Sequence, residues 1–359
     1  MTPAKPSPRV TILGTGGTIA SRVDYRTGAV KPAVSSEELA EILPELRELA
    51  FIEPEVILNK YSEHITPSDW TTMAQITADK IESGVSGVVI LHGTDTLGYT
   101  AAALSFALRE LPVPVVVVGS QRSSDRPSSD AALNLISAVA VAARAPFAEV
   151  TVAMHENLSD DFVLLHRATR VRKNHTSRRD AFQTIDSTPL GRVKGGSELE
   201  LLTDDYLGRD PARELRLRGR FNEKVALLKF YPSFDPSLID FLVDKGYLGF
   251  VLEGSGLGHI NDRSYRSLER ASEKGVHVFV TSQCIWGRTN LRVYDTGRDL
   301  LRLGVVPLEN MLAETALVKL MWALGNFEKG DEVVEAVKTN IAGEIVERSL
   351  GGPQRGFRD

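Results

Sequence analysis

Short apolar runs rich in β-branched residues, separated by helical patterns, set the tightest limit on what this chain can fold into. The runs cover residues 10–13, 56–58, 87–91, 113–118, 150–154, 225–230, 250–252 and 276–281. Continuous apolar runs of this length read as strands buried on both faces, as in a parallel sheet. Helical patterns fall between them at 68–83, 99–109, 130–144, 236–245, 262–274, 311–324 and 331–339. Ser68 is the expected N-cap of the first, which stops at Gly84, and Asn134 lies inside the third. Strand alternating with helix predicts α/β architecture with mainly parallel sheets.

The chain of 359 residues is long enough for about two domains at ~150 residues each. The break falls near Lys194-Gly195-Gly196 and the charged stretch 208–214. The expected division is a larger N-terminal three-layer α/β domain at 1–205, a linker at 206–222 and a smaller C-terminal one at 223–359. Residues 156–193 lack helical period and read as strand pieces with a hairpin at the domain edge.

Charge and cysteine usage exclude several classes. The net charge of −5 gives no global basic field for nucleic acid. A single cysteine, Cys284, excludes an internal disulfide and a multi-cysteine zinc site. The histidines form neither H-E-x-x-H nor an i, i+4 pair, so no metal or other cofactor is expected. The first six residues hold no apolar signal core, and no apolar run approaches the ~18 residues of a membrane span. A cytoplasmic protein with no membrane contact is the default expectation.

Two strand ends carry chemistry. The first strand runs into Gly14-Thr15-Gly16-Gly17-Thr18-Ile19-Ala20. The dinucleotide fingerprint fails because Ile19 stands where the last glycine is required, and no Gly-Lys-Ser/Thr follows for a phosphate loop. Such a turn lets backbone N–H groups approach a ligand, or is simply a tight turn with a capping threonine. The run 87–91 ends in His92-Gly93-Thr94-Asp95-Thr96. Asp95 can orient a nucleophile, bind an ammonium group or cap the next helix. Threonine hydroxyls at both edges are consistent with nucleophilic catalysis, which needs a base. Ser120, past the run 113–118, lies at the same edge and reads more simply as a turn residue. Arg167, Arg170, Arg172, Lys173, Arg178 and Arg179 form a basic segment. Most of these read as the solvated side of a hairpin. A lysine drawn in beside Asp95 would serve as a proton acceptor.

The pair Thr15-Gly16-Gly17-Thr18-Ile19-Ala20 and His92-Gly93-Thr94-Asp95-Thr96 resembles the two signatures of the bacterial-type L-asparaginases. The resemblance runs over nearly the whole chain. Residues 121–132, 175–182 and 254–259 are similar to one branch, the D subunit of archaeal glutamyl-tRNA(Gln) amidotransferases. The resemblance implies a two-domain α/β fold, a homodimer or homotetramer, and hydrolysis of a side-chain amide to a carboxylate and ammonia. By motif, Thr18 matches the nucleophile and Tyr25 the tyrosine of a mobile loop, here 21–30, that closes on substrate. Thr94, Asp95 and Lys173 match the second catalytic cluster. Ser62 and Glu63 match the pair that binds the amino-acid head group, Gly17, Thr94 and Asp95 are the further substrate contacts expected from the two motifs, and Ser120 is a weaker binding candidate from its place at the strand end. Backbone N–H groups near Gly17 and Thr94 are the expected donors to the oxyanion.

Two positions depart from the free bacterial enzymes. Glu63 replaces a common glutamine, and Leu257 replaces an asparagine that reaches across a subunit interface. Leu257 cannot supply that hydrogen bond, which bears on head-group recognition and on the choice between asparagine and glutamine.

Two enzymatic readings follow. One is a stand-alone hydrolase of L-asparagine with some action on L-glutamine. The other is the ammonia-supplying subunit of a tRNA-dependent amidotransferase, with tRNA and a second subunit as partners. The amidotransferase branch carries a small β-domain before the glycine turn, whereas Met1–Pro8 here is too short for one. Length therefore points to the first reading and the motifs to the second. A binding protein without turnover would leave both threonine motifs and Lys173 unexplained.

Overall fold

The computed structural model describes residues 7–17, 19, 21–23, 30–32 and 43–349. The chain divides into two compact units. The first comprises 1–184 and 188–219, the second 185–187 and 220–359.

An eight-stranded sheet forms the centre of the first unit. Its parallel part runs in spatial order β4 (Phe51–Lys60), β1 (Arg9–Gly16), β5 (Gly87–Leu91), β7 (Val115–Val118) and β8 (Val150–His155). The sheet continues with three strands paired antiparallel, β9 (Phe162–Arg167), β12 (Gly191–Lys194) and β13 (Glu198–Leu201). Two-stranded antiparallel pairs join β2 (Ser21–Val23) to β3 (Val30–Pro32), β10 (Val171–Lys173) to β11 (Phe182–Thr184), and β6 (Leu108–Arg109) to β14 (Arg216–Leu217). The helices are α1 (Glu45–Leu49), α2 (Pro67–Glu82), α3 (Leu97–Ala107) and α4 (Ala131–Arg144). Strands β1, β5, β7 and β8 are buried almost throughout, as continuous apolar runs require. Strand β4 is the exception. It lies at the sheet edge, half-exposed, and carries Pro54, which an edge strand tolerates.

Thr66, rather than Ser68, caps α2. Its side chain accepts from the first turn while Asp69 reaches back to the Thr66 N–H, a reciprocal box that Ser68 cannot form from inside the helix. Burial would push the Asp69 carboxyl up, but hydrogen bonds from Lys60 and Thr66 hold it below the usual carboxylate range.

The segment expected as a linker is tied to the first unit as far as Gly219. Arg209 donates to the carbonyls of Ala143 and Ser86, and Arg213 donates to Leu111 O at 2.7 Å.

The second unit has a four-stranded parallel sheet of β15 (Val225–Lys229), β16 (Gly249–Gly254), β17 (His277–Ser282) and β18 (Val306–Pro307). Its helices are α5 (Ser237–Asp244), α6 (Tyr265–Glu273), α7 (Asp295–Arg302), α8 (Ala313–Asn326) and α9 (Gly330–Lys338). Phe250, Leu252, Val278, Val280 and Leu268 belong to its core. No helix among the described residues is long and apolar enough to cross a membrane.

Candidate active site

Ligands of parallel α/β sheets bind beyond the carboxyl ends of the strands. Here the ends of β1, β5 and β7 are drawn together by residues without side chains. Gly16 and Gly17 take φ of 105° and 82°, values open to glycine at little cost. A Cβ on Gly17 would stand 2.5 Å from Gly93 Cα. One on Gly93 would stand 2.8 Å from Ser62 Cβ, and one on Gly119 would stand 3.0 Å from Thr94 Cγ2. The two threonine motifs, the 62–63 segment and the loop after β7 therefore meet at glycines, where only a residue without a Cβ leaves room.

Lys173, at the end of β10, reaches this edge. Its Nζ donates to Thr94 Oγ1 at 2.8 Å and to Asp95 Oδ1 at 2.7 Å. The lysine side chain is 15% exposed and the Asp95 side chain 69%. Asp95 is not the cap of α3, because Thr96 occupies that position. The rest of the basic segment is used elsewhere. Arg167 pairs with Glu149 and Asp205, Arg178 with Asp180 and Arg179 with Asp160, while Arg170 is fully buried. The segment is thus less a solvated hairpin face than a set of internal ties.

A buried relay fixes the backbone on which Thr94 stands. Trp70 Nε1 donates to Thr100 Oγ1 at 3.0 Å, and that hydroxyl lies 2.9 Å from His92 Nε2. The hydroxyl accepts the indole hydrogen and donates its own, so His92 carries hydrogen on Nδ1. That nitrogen lies 2.7 Å from Gly93 O. Burial pushes the His92 imidazole down to about 4, against a smaller upward pull from Gly93 O, and keeps the ring neutral.

The remaining expected residues divide. Ser62 is buried and its carbonyl accepts from Thr96 Oγ1 at 2.6 Å, while Glu63 beside it is exposed. Ser120 is buried, but its hydroxyl is spent on Arg122 O at 2.8 Å. Thr15 turns away from the edge and donates to Leu91 O at 2.7 Å. Thr18, Tyr25 and most of the expected lid lie outside the described residues. No cluster of His, Cys, Asp or Glu suited to a metal occurs among the described residues. Asp130, Asn134, His155 and Asp160 form a set that nothing in the sequence joins. The asparagine inside an apolar helix is its only sign in one dimension.

The N-terminal asparaginase family model matches residues 9–205, and the glutaminase/asparaginase C-terminal domain model matches 224–337. The chain belongs to the asparaginase family. Its relatives include the D subunit of the glutamyl-tRNA(Gln) amidotransferase of Pyrococcus abyssi, 55% identical over 94% of this chain and 77% of that protein. The corresponding protein of Thermofilum pendens is 51% identical over 96% of this chain and 77% of its own length. Among solved structures, the thermostable L-asparaginase of Thermococcus kodakarensis superposes with a TM-score of 0.85 at 33% identity, over 95% of this chain and all, 100%, of that one. L-asparaginase I of Vibrio cholerae gives 0.82 at 30% identity, over 95% and 100% of the two chains. The two-domain asparaginase fold and a hydrolytic family follow directly.

Proposed function

We propose that this asparaginase-family chain hydrolyses a side-chain amide and supplies the released ammonia as a subunit of a tRNA-dependent amidotransferase. The observation that carries the chemistry is Lys173 Nζ lying within hydrogen-bond distance of both Thr94 Oγ1 and Asp95 Oδ1. The closer likeness to the amidotransferase subunits than to the solved L-asparaginases favours the assembly.

In this reading Thr18 Oγ adds to the amide carbon, and Tyr25 passes the hydroxyl proton towards the leaving nitrogen. The C–N bond breaks and ammonia departs, leaving an ester on Thr18. Backbone N–H groups near Gly17 and Thr94 hold the oxyanion. Water then adds to the ester. Thr94 Oγ takes a proton from the water and gives its own to Lys173, and Asp95 balances the charge that gathers on the lysine. Collapse frees the acid and returns the proton to Thr18. The arrangement is a triad without histidine.

The second reading, a free L-asparaginase, is favoured by the likeness to solved L-asparaginases. One assay separates the two. Ammonia release from asparagine and glutamine is measured on the chain alone, then with the partner subunit and glutamyl-tRNA(Gln). Low turnover alone with activation in the complex supports the amidotransferase role. Full asparagine turnover alone, unchanged by the additions, overturns it.

A further inference from the structure

Lys173 sits on a two-stranded hairpin outside the main sheet, and Thr94 follows a central strand. Something must hold one against the other. The hairpin β10–β11 is closed by the loop 174–181, which carries Arg179. Arg179 donates through Nη1 to Asp160 and through Nη2 to Leu158 O. Asp160 Oδ1 also lies 3.2 Å from His155 Nε2. The Asp160 carboxyl is held below its ordinary value, first by the hydrogen bond from His155 and then by Arg179, against some desolvation. On its other side, His155 Nδ1 lies 2.6 Å from Asn134 Oδ1. Asn134 Nδ2 donates to Gly119 O at 3.0 Å and to Asp130 Oδ2 at 3.2 Å. Asp130 in turn accepts the N–H groups of Gln121 and Arg122. Gly119 packs on Thr94, which closes the circuit back to Lys173.

The polarity of this chain is fixed. Asn134 Nδ2 faces a carbonyl and a carboxylate, so its oxygen must face His155. His155 therefore lies between two acceptors, an amide oxygen and a carboxylate. Asp130, Asn134 and His155 are fully buried, and an uncommitted polar group there would be costly. Asp160 is 69% exposed, so the strut ends at the surface, where it can be cut without opening the core.

We propose that the line Asn134–His155–Asp160–Arg179 is a positioning strut. It fixes the Lys173 hairpin and the loop after β7 in one register, so that Lys173 Nζ stays on Thr94. Its members touch no reacting atom. Its effect on turnover rests on the hydrolytic reading above, but its effect on Lys173 does not.

The test uses Asp160→Ala, Arg179→Gln and the conservative Asp160→Glu in the full chain. Two quantities are read: ammonia release, and the rate at which an amine-reactive ester acylates Lys173, followed by mass spectrometry. Cutting the strut lowers kcat on the order of ten- to hundredfold, with KM changed far less, because misplacement by a fraction of an ångström is costly. Lys173 acylation accelerates in the same variants, Asp160→Glu restores both in part, and the melting temperature stays near that of the parent in Arg179→Gln, which leaves Asp160 on His155. Unchanged acylation in Asp160→Ala and Arg179→Gln overturns the strut, whatever happens to kcat. A lowered melting temperature with unchanged kcat and acylation also overturns it. Faster acylation of Lys173 in a protein that releases no ammonia even with the partner subunit and glutamyl-tRNA(Gln) keeps the strut and removes the hydrolytic reading.

Discussion

Gly17 and Gly93 meet backbone against backbone, and a Cβ on Gly17 would stand 2.5 Å from Gly93 Cα. This contact sets the two threonine motifs side by side, and its geometry leaves no room for a methyl group. Gly17 also takes φ of 82°, which costs an L-residue about 1–2 kcal/mol. Gly17→Ala therefore pushes the β1 and β5 ends apart as well as straining the turn. The expected result is a loss of ammonia release of about a hundredfold or more, with a modest loss of thermal stability. Gly93→Ala acts in the other direction, against Ser62, and should raise KM more than Gly17→Ala does. Steady-state kinetics on the two variants checks both.

Lys173 offers a sharper chemical test. Its role in the proposed mechanism is to take and return a proton through Thr94. An arginine keeps the charge and can still pair with Asp95, but its guanidinium does not give up a proton in proteins. Lys173→Arg should therefore be nearly as inactive as Lys173→Met, with kcat down about 10²–10⁴-fold in each. A Lys173→Arg enzyme retaining a third or more of the parent kcat would assign the lysine a purely electrostatic role. Circular dichroism alongside the assay checks that the hairpin has survived.

Much of this architecture is visible in one dimension, because burial on both faces of a parallel sheet writes itself as unbroken apolar runs. Strands β5 and β7 follow from that signal, and Thr94 and Asp95 follow as the polar residues delivered at a strand end. Strand β4 carries the same local signal, yet it is a half-exposed edge, since strand order is a long-range property. Helix α1 has only five residues, too few to show a period, and α7 has eight, of which only Gly297 and Leu300 are buried. Lys173 is one basic residue among six until the fold places it, and only family resemblance singles it out in advance. The strut is less legible still. Asn134, His155 and Asp160 come from a helix, a strand and a loop, and nothing local in the chain records that they meet.

Acid should destabilise the protein through its buried imidazoles. Burial pushes His92 down to about 4 and His166 to about 3, from an ordinary 6.5. Below pH 6.5 the unfolded chain binds protons at both positions that the folded chain refuses. Stability is therefore full above that pH and falls as pH drops towards 4, by about 1.4 kcal/mol per pH unit for each histidine. His166→Gln removes one such proton and should flatten the slope by that amount. Denaturant titrations at a series of pH values between 6 and 4 measure it.

The second unit contains a fully buried ion pair. Lys319 and Glu344 are both fully buried and in direct contact. Lys319 also donates to Val337 O at 2.9 Å and to Thr339 O, while Glu344 accepts from Ile341 N at 3.0 Å and Ala342 N at 2.7 Å. The pair ties α8 to the chain that follows α9. Two opposed charges out of water attract strongly but also bear a large desolvation cost, so their net worth is small compared with the cost of leaving one alone. Lys319→Met takes away the ammonium that the buried Glu344 carboxylate contacts and should cost about 3–5 kcal/mol. Glu344→Gln removes the charge and keeps an acceptor for one of the two N–H groups, which reach different carboxylate oxygens, and the double variant Lys319→Met with Glu344→Gln should be more stable than Lys319→Met alone. The ordering in urea denaturation checks this: Lys319→Met lowest, the double variant between it and the parent. A double variant no more stable than Lys319→Met would mean that the loss comes from the carbonyls of Val337 and Thr339 rather than from the buried carboxylate.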